Sequence, residues 1–590
     1  MSRPLASGSA ASLCSLPFLI LLSAVCAFPL RVPAATATPA ILAAVADDPA
    51  VVGRWDSLIQ AELVPIHVIL LPNGKLLYID RHDQGTHDMI PRVWDPATNV
   101  TIKTPSPGYD LFCSGHSILR NGDVFFSGGH IVDGEGEDQV RIYNWRSNTW
   151  DAGIGHMPAG RWYPTNTTLP NGDVLILSGS IYADIPNEIP EIYDSRAHAL
   201  RELDDAKLGV GLYPFVFLAG RNKVFLGGPD SLTRFLDLTG KGGFTEVGMT
   251  RIGKLRGYGT SVMYAPGKVM MCGGGKEPPT ASTEIIDLYA AHPAWAYSDS
   301  MHYARRQATG VLLPDGKVLV TGGTSGWGFN NADGAVYNAE MWDPQTGKWS
   351  VLAPASTQRL YHSFSLLLPD GRVLTGGGGH PGDEADILSE HPDFEIYEPP
   401  YLFKGTRPVI DAVPDTLYYG KPFTLSTRNA GSFRVSLLRT AAVTHAFDQN
   451  ANFNGLTVTR ASATALTVGP PADSVISPPG PHLLFLLDSA GIPSKGKIVW
   501  LASSPGNASL APVFGAADWR LIQVGNRLRV EGMDRSEGAQ CILMNTQGKR
   551  MAVLEPMAAG EFRLPAGHRG IYAAVVRQGN RKHTGTIFIP

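Results

Sequence analysis

Seven times along this chain of 590 residues the same short pattern returns: an apolar segment, a tight turn, and a second apolar or β-branched segment. The copies are Leu71-Pro-Asn-Gly-Lys-Leu-Leu, Leu119-Arg-Asn-Gly-Asp-Val-Phe, Leu169-Pro-Asn-Gly-Asp-Val-Leu, Ala219-Gly-Arg-Asn-Lys-Val-Phe, Tyr264-Ala-Pro-Gly-Lys-Val-Met, Leu313-Pro-Asp-Gly-Lys-Val-Leu and Leu368-Pro-Asp-Gly-Arg-Val-Leu. Asn-Gly and Asp-Gly supply the positive φ that a tight strand-to-strand turn requires, so each copy is a hairpin. The turn residues Gly74, Gly122, Gly172, Asn222, Gly267, Gly316 and Gly371 recur at a period near the ~50 residues of one propeller blade. A sandwich does not repeat one hairpin at a fixed period. The repeat predicts seven blades between residues 50 and 402.

After Pro399-Pro400 the repeat stops. Residues 403–503 alternate apolar and polar positions, as in Phe433-Arg-Val-Ser-Leu-Leu and His482-Leu-Leu-Phe-Leu-Leu, and predict an immunoglobulin-like β-sandwich. Ser503-Ser-Pro-Gly reads as a linker, and 512–590 as a further small β domain of unassigned role. The predicted fold is all-β: a seven-bladed kelch-type propeller, a sandwich and a small third domain. The 65 Gly and 45 Pro fit many short strands joined by turns.

The N-terminus has Arg3, an apolar run beginning at Ser15 and small residues around Ala35-Thr36-Ala37, the layout of a secretory signal peptide over 1–37. The run is broken by Pro17 and Pro29, so stable membrane insertion is not expected, and the protein is placed outside the cell or in a periplasm. Removing that leader takes Cys14 and Cys26 and leaves Cys113, Cys272 and Cys541, an odd number for an oxidising compartment. A net charge of -4 gives no basic surface to follow a phosphate backbone, which excludes nucleic acid as a partner. Asn99, Asn166 and Asn507 head Asn-x-Ser/Thr sequons.

Counting within the repeat gathers scattered residues. Cys113, Tyr163 and His362 each stand nine residues before their turn glycine, at 122, 172 and 371. Equivalent positions in different blades face the same end of a propeller, and those entering the innermost strand cluster round its axis. Each alone has a plain structural reading, as a small buried thiol, a packed phenol or a satisfied imidazole. Their shared register brings Cys, Tyr and Tyr361-His362 together. A set of two His and two Tyr suits Cu(II), whereas zinc favours Cys and His in a tetrahedron.

The segments Asp110-Leu-Phe-Cys-Ser-Gly-His, Gly160-Arg-Trp-Tyr-Pro-Thr, Arg359-Leu-Tyr-His-Ser-Phe-Ser-Leu-Leu-Leu-Pro-Asp-Gly-Arg-Val and Val443-Thr-His-Ala-Phe resemble the motifs of the galactose oxidase and glyoxal oxidase family of copper radical oxidases, in that family's order. The resemblance spans residues 50–503 and leaves 512–590 outside it. It implies one copper ion held by Tyr163, Tyr361, His362 and His445, and a thioether joining Cys113 to Tyr163 as a protein-derived radical cofactor. It also implies that Tyr361 accepts the substrate proton and that His445 arrives on a loop of the sandwich. The thioether would account for the odd cysteine. The implied reaction is oxidation of a glyoxal-type aldehyde or a primary alcohol by O2 with release of H2O2, by a monomer acting on small molecules.

Two departures from the family pattern stand out. The tryptophan that galactose oxidases stack on the modified tyrosine is absent after Ser178-Gly-Ser, where Ile181 stands, and Trp162 leans the chain toward the glyoxal oxidase side. After His445 the usual Gln-Arg is replaced by Asp448-Gln-Asn-Ala-Asn, which leaves the anchoring of that loop open. The alternatives are a galactose oxidase-like sugar or alcohol oxidase and a non-catalytic kelch propeller that binds protein or glycan. A glycan hydrolase would need paired carboxylates at the channel mouth, and the register offers Pro65, Tyr213, Tyr258 and Gln307 instead. Tyr213, Tyr258, Arg306 and Gln307, with Trp162 and Trp327, are expected to line the substrate cup, the guanidinium suiting a carbonyl or carboxylate.

Overall fold

The computed structural model describes residues 48–81, 90–151, 155–275, 278–379, 390–429, 431–460 and 462–503, and within the last domain 520–524, 527–531, 539–544, 550–554, 561–564, 570–578 and 581–589. The leader, with Cys14 and Cys26, lies outside the described residues, as do Asn507 and most of the linker.

Each repeat is one antiparallel blade. In the second, Gly115–Ile118 is innermost, followed by Val124–Ser127, Val140–Asn144 and Thr149–Asp151. The innermost strands of the others are His67–Leu70, Thr165–Thr168, Phe215–Gly220, Thr260–Ala265, Arg306–Leu312 and Ser363–Leu367. The ring closes when the start of the chain supplies the outer edge of the seventh blade: Arg54 and Trp55 pair with Glu398 and Tyr397, and Ile59–Gln60 extends the same edge. Closure ties the first and last blades together, and each blade keeps only a short outer edge.

The blades are clamped by a repeated buried ion pair. Arg161, Arg256, Arg305 and Arg359, just before the innermost strands of blades three, five, six and seven, meet Glu191, Glu284, Glu340 and Asp393. Each guanidinium also donates to a carbonyl at the end of the second strand, those of Ser178, Gly273, Gly322 and Gly377. Losing one partner of such a pair strands a buried charge, at about 3–5 kcal/mol. The Gly-Gly pairs serve blade contact: a Cβ on Gly273 would lie 2.6 Å from the Arg305 carbonyl, and one on Gly322 2.6 Å from that of Arg359. Both glycines also have positive φ, 66° and 67°.

Residues 416–502 form the sandwich. Strand Phe453–Arg460 belongs to two sheets: Phe453 to Leu456 pair with Arg434–Arg439, and Thr457 to Arg460 with Ala465–Gly469. Leu425, Leu437, Leu466, Val468, Leu484, Leu486, Val499 and Leu501 fill the core between them. From this domain one short hairpin, Ala442–Thr444 and Phe447–Asp448, leaves to join the propeller, Val443 pairing with Val68 of blade one. Beyond the linker, the described strands between 520 and 589 make two antiparallel sheets of their own.

Asn166 is buried in the innermost strand of blade three, and its Oδ1 accepts from the Ser127 hydroxyl, so its sequon is closed to glycosylation in the folded protein. Among the described residues no helix is long and apolar enough to cross a membrane.

Candidate metal centre

The register positions share a backbone conformation. Cys113, Tyr163, Tyr213, Tyr258, Gln307 and His362 have φ of 60°, 66°, 43°, 57°, 62° and 67°. Non-glycine residues rarely enter this region, and six at one register position make it a feature of how six of the seven blades begin. Amides link neighbours across blades: Tyr163 N–H donates to the Cys113 carbonyl at 2.9 Å, Tyr213 to Tyr163 at 2.9 Å, and Gln307 to Tyr258 at 2.7 Å.

At the centre the hydroxyls of Tyr163 and Tyr361 hydrogen-bond each other. His445 Nε2 lies 3.1 Å from the Tyr163 hydroxyl. His362 stacks on Tyr361 with ring centroids 3.8 Å apart, and its ring meets that of His445 edge to face at 4.8 Å. His362 Nδ1 is 2.8 Å from the Gly379 carbonyl and donates to it, which leaves Nε2 with its lone pair. His445 Nδ1 is likewise engaged, 2.6 Å from Thr444 Oγ1. Two imidazoles held through Nδ1 and two phenols therefore meet from blade three, blade seven and the sandwich.

Burial, reinforced by the neighbouring phenols and the Cys113 thiol, pushes both Tyr163 and Tyr361 well above the ordinary phenol range. Burial and then His362, His67 and His116 hold His445 well below the ordinary imidazole range, so its ring is neutral. Without a cation the two phenols and the His445 imidazole are neutral. A divalent ion reverses the phenol preference by making phenolate the favoured form. This N2O2 donor set fits copper. Among the described residues no cluster of three or more His, Cys, Asp or Glu competes for such an ion.

Cys113 is a buried free thiol whose side chain hydrogen-bonds Tyr163, with burial pushing the thiol well above its ordinary range. Trp162 covers the Tyr163 ring at 3.9 Å and donates from Nε1 to His130 Nδ1 at 3.1 Å. The ring left uncovered by Ile181 is thus covered from the adjacent residue.

The His445 hairpin is anchored by residues that replace the expected Gln-Arg. Asp448 Oδ1 accepts the amides of Ala442 and Asn450 at 3.0 and 2.9 Å. Gln449 Oε1 accepts those of His116 in blade two and Asn166 in blade three, at 3.2 and 3.1 Å. Phe447 packs on Phe215 of blade four, and Thr260 of blade five donates to the Ala446 carbonyl at 2.9 Å. The hairpin is therefore tied to five blades, one through five.

A cavity of about 950 Å3 opens onto the centre, lined by Trp162, Tyr163, Tyr258, Phe329, Tyr361 and His362 on its inner side. Of the residues expected in the cup, Trp162 and Tyr258 line it. Tyr213 does not: it is buried, bonds the Ser114 carbonyl at 2.9 Å and packs behind Tyr163 at 4.6 Å. Gln307 is buried too, donating to the Phe329 carbonyl at 2.7 Å. Arg306 lies between the rings of Tyr258 and Phe329, 5.1 and 5.3 Å from their centroids, and holds them from behind. Trp327 is 65% exposed and lies outside the lining. The guanidinium expected in the cup is replaced by an acidic wall of Asp110, Asp133, Glu137 and Asp184, with Arg81 opposite in charge.

Sequence reasoning missed Phe112 and His130 in the lining, and His67 behind Cys113, while the Gly326-Trp-Gly-Phe loop reaches the cavity through Phe329 and not through Trp327. Phe112 is adjacent to the register cysteine, a signal that was available. The others lie off the register.

Known proteins match both the propeller and the sandwich. Residues 93–232 and 264–401 match the family model described as glyoxal oxidase N-terminus, and 407–501 match the galactose oxidase-like early set domain. The chain is 29% identical over 492 residues to a galactose oxidase of Gibberella zeae, covering 76% of this chain and 70% of that one. It is 26% identical over 538 residues to the aldehyde oxidase GLOX of Vitis pseudoreticulata, covering 78% of this chain and 99% of that one. Its fold is similar to that of a fungal alcohol oxidase of the AA5 family solved with copper, at a TM-score of 0.70 and 24% identity over 76% of this chain and 100% of that one.

Proposed function

This chain belongs to the galactose oxidase and glyoxal oxidase family, and we propose that it is a copper oxidase that turns an aldehyde or primary alcohol and O2 into the oxidised product and H2O2. The observation that carries this reading is the meeting of Tyr163, Tyr361, His362 and His445 at the floor of a cavity. Those four side chains would hold the ion. When bound, copper supplies Lewis acidity and a one-electron redox partner.

The protein's own groups then divide the work. Tyr361 faces the cavity and hydrogen-bonds both Tyr163 and Tyr258, so its oxygen is the base that takes the substrate hydroxyl proton. Tyr163, joined to Cys113 through a thioether, is the ring that accepts hydrogen from the substrate carbon. Trp162 and Phe112 keep bulk water from it. For an alcohol the balance is RCH2OH + O2 → RCHO + H2O2; an aldehyde reacts as its hydrate to give the acid.

The acidic wall favours neutral hydroxyl- or carbonyl-bearing substrates over carboxylates, since like charge in a partly enclosed cavity opposes binding. The experiment is an H2O2 assay of copper-loaded protein on primary alcohols, sugars, simple aldehydes, α-hydroxycarbonyls and glyoxylate. Turnover is expected on neutral members, with glyoxylate poorest. Fully loaded protein that is silent on the whole panel would leave a binding propeller instead.

A further inference from the structure

Three cross-blade bonds at the centre follow one rule: the amide of a register residue donates to the carbonyl of the register residue one blade earlier, Tyr163 to Cys113, Tyr213 to Tyr163, and Gln307 to Tyr258. At Cys113 the rule is replaced. The residue one blade earlier is Pro65, whose carbonyl is turned to blade seven, so close to Gly377 that a Cβ there would lie 2.3 Å from it. The Cys113 amide donates instead to Nε2 of His67, at 3.0 Å. His67 opens the innermost strand of blade one and is fully buried, its ring packed among Phe112, His116 and His445.

We propose that His67 is the positioning residue for the cross-link: by capping the Cys113 amide it holds the cysteine at positive φ, the backbone conformation that sets its thiol against the Tyr163 ring. This rests on the thioether reading given above. In that step the Cys113 S–H and the ring C–H beside the Tyr163 hydroxyl are broken and one S–C bond forms. Two protons and two electrons leave, and O2 takes both pairs as H2O2. His67 touches neither reacting atom and acts through the backbone of Cys113.

The test compares His67→Gln, whose carboxamide oxygen can occupy the place of Nε2, with His67→Met, whose sulfur is only a weak acceptor, and His67→Phe, which fills the space with none. Full-length copper-free protein is given copper in air, and the linked Cys113–Tyr163 peptide is followed over time by mass spectrometry, with melting temperatures measured in parallel. Losing one buried acceptor should slow cross-linking about tenfold in the Met and Phe variants, while Gln stays within about threefold of wild type. Two apolar variants are used so that misfolding of one leaves the comparison intact. Apolar variants that cross-link at the wild-type rate, or a Gln variant as slow as Met at equal melting temperature, overturn the role of His67. Wild-type protein that never cross-links overturns the thioether reading, and this inference with it.

Discussion

Trp162 lies face to face with Tyr163, ring centroids 3.9 Å apart and planes 26° from parallel. The contact comes from neighbouring residues in the chain, yet Trp162 N–H and C=O are also bridged to Ser180, which fixes the indole over the phenol. Aromatic stacking of this kind contributes about 0.5–1.5 kcal/mol, roughly a decade in rate where it acts on the reacting ring. Trp162→Ala should lower kcat/KM about tenfold with copper content unchanged, and Trp162→Phe should retain most of it. Steady-state kinetics on metal-quantified protein checks this, and an Ala variant with full kcat/KM would contradict it.

Tyr258 meets Tyr361 edge to face at 5.5 Å and shares a hydrogen bond with its hydroxyl. Removing that hydroxyl leaves both rings packed while taking one partner from the oxygen assigned as base. Tyr258→Phe should lower kcat/KM for the best substrate by about 1–2 kcal/mol, or roughly one decade, and leave copper stoichiometry intact. Arg306 lies behind the same ring, so Arg306→Ala should act through Tyr258 and add little to Tyr258→Phe in a double variant.

The register count gathered these residues because six of the seven blades enter their innermost strand through one backbone geometry, and Cys113, Tyr163 and His362 all occupy it. The same count misplaced Tyr213 and Gln307, since register tells which residues approach the axis but not how deep along it their side chains end. Tyr213 ends beneath Tyr163, and Gln307 ends on the Phe329 carbonyl. His67 was illegible for a different reason: its role arises from a contact between blades that no local pattern encodes. Asp448 braces its own hairpin and Gln449 bonds amides of distant strands, neither of which a departure from a motif reveals.

Copper affinity should depend steeply on pH. Burial raises Tyr163 and Tyr361 well above the ordinary phenol range, so the copper-free protein carries both protons at neutral pH and binding must release them. Affinity therefore rises with pH, by up to about two decades per unit if both phenols ionise on binding. Tyr361→Phe should reduce that slope by about one decade per unit. Competition titrations against a chelator between pH 6 and 8 measure it; a flat profile would mean that the phenols are not ligands.

The described strands of 520–589 form two sheets separate from those of the propeller and sandwich. Truncation near Pro505 should leave copper binding and turnover intact, while truncation near Lys404 removes His445 and should abolish both. Turnover by the shorter protein would refute the assignment of His445.

The account is tested most directly by electron paramagnetic resonance of the copper-loaded protein in its radical-free state, alongside His445→Ala. One Cu(II) per chain with coupling to two nitrogens is predicted, falling to one nitrogen or to lost binding in the variant. A wild-type spectrum without two equatorial nitrogens, or one unchanged by His445→Ala, would contradict a centre built from His362 and His445 with the two tyrosines.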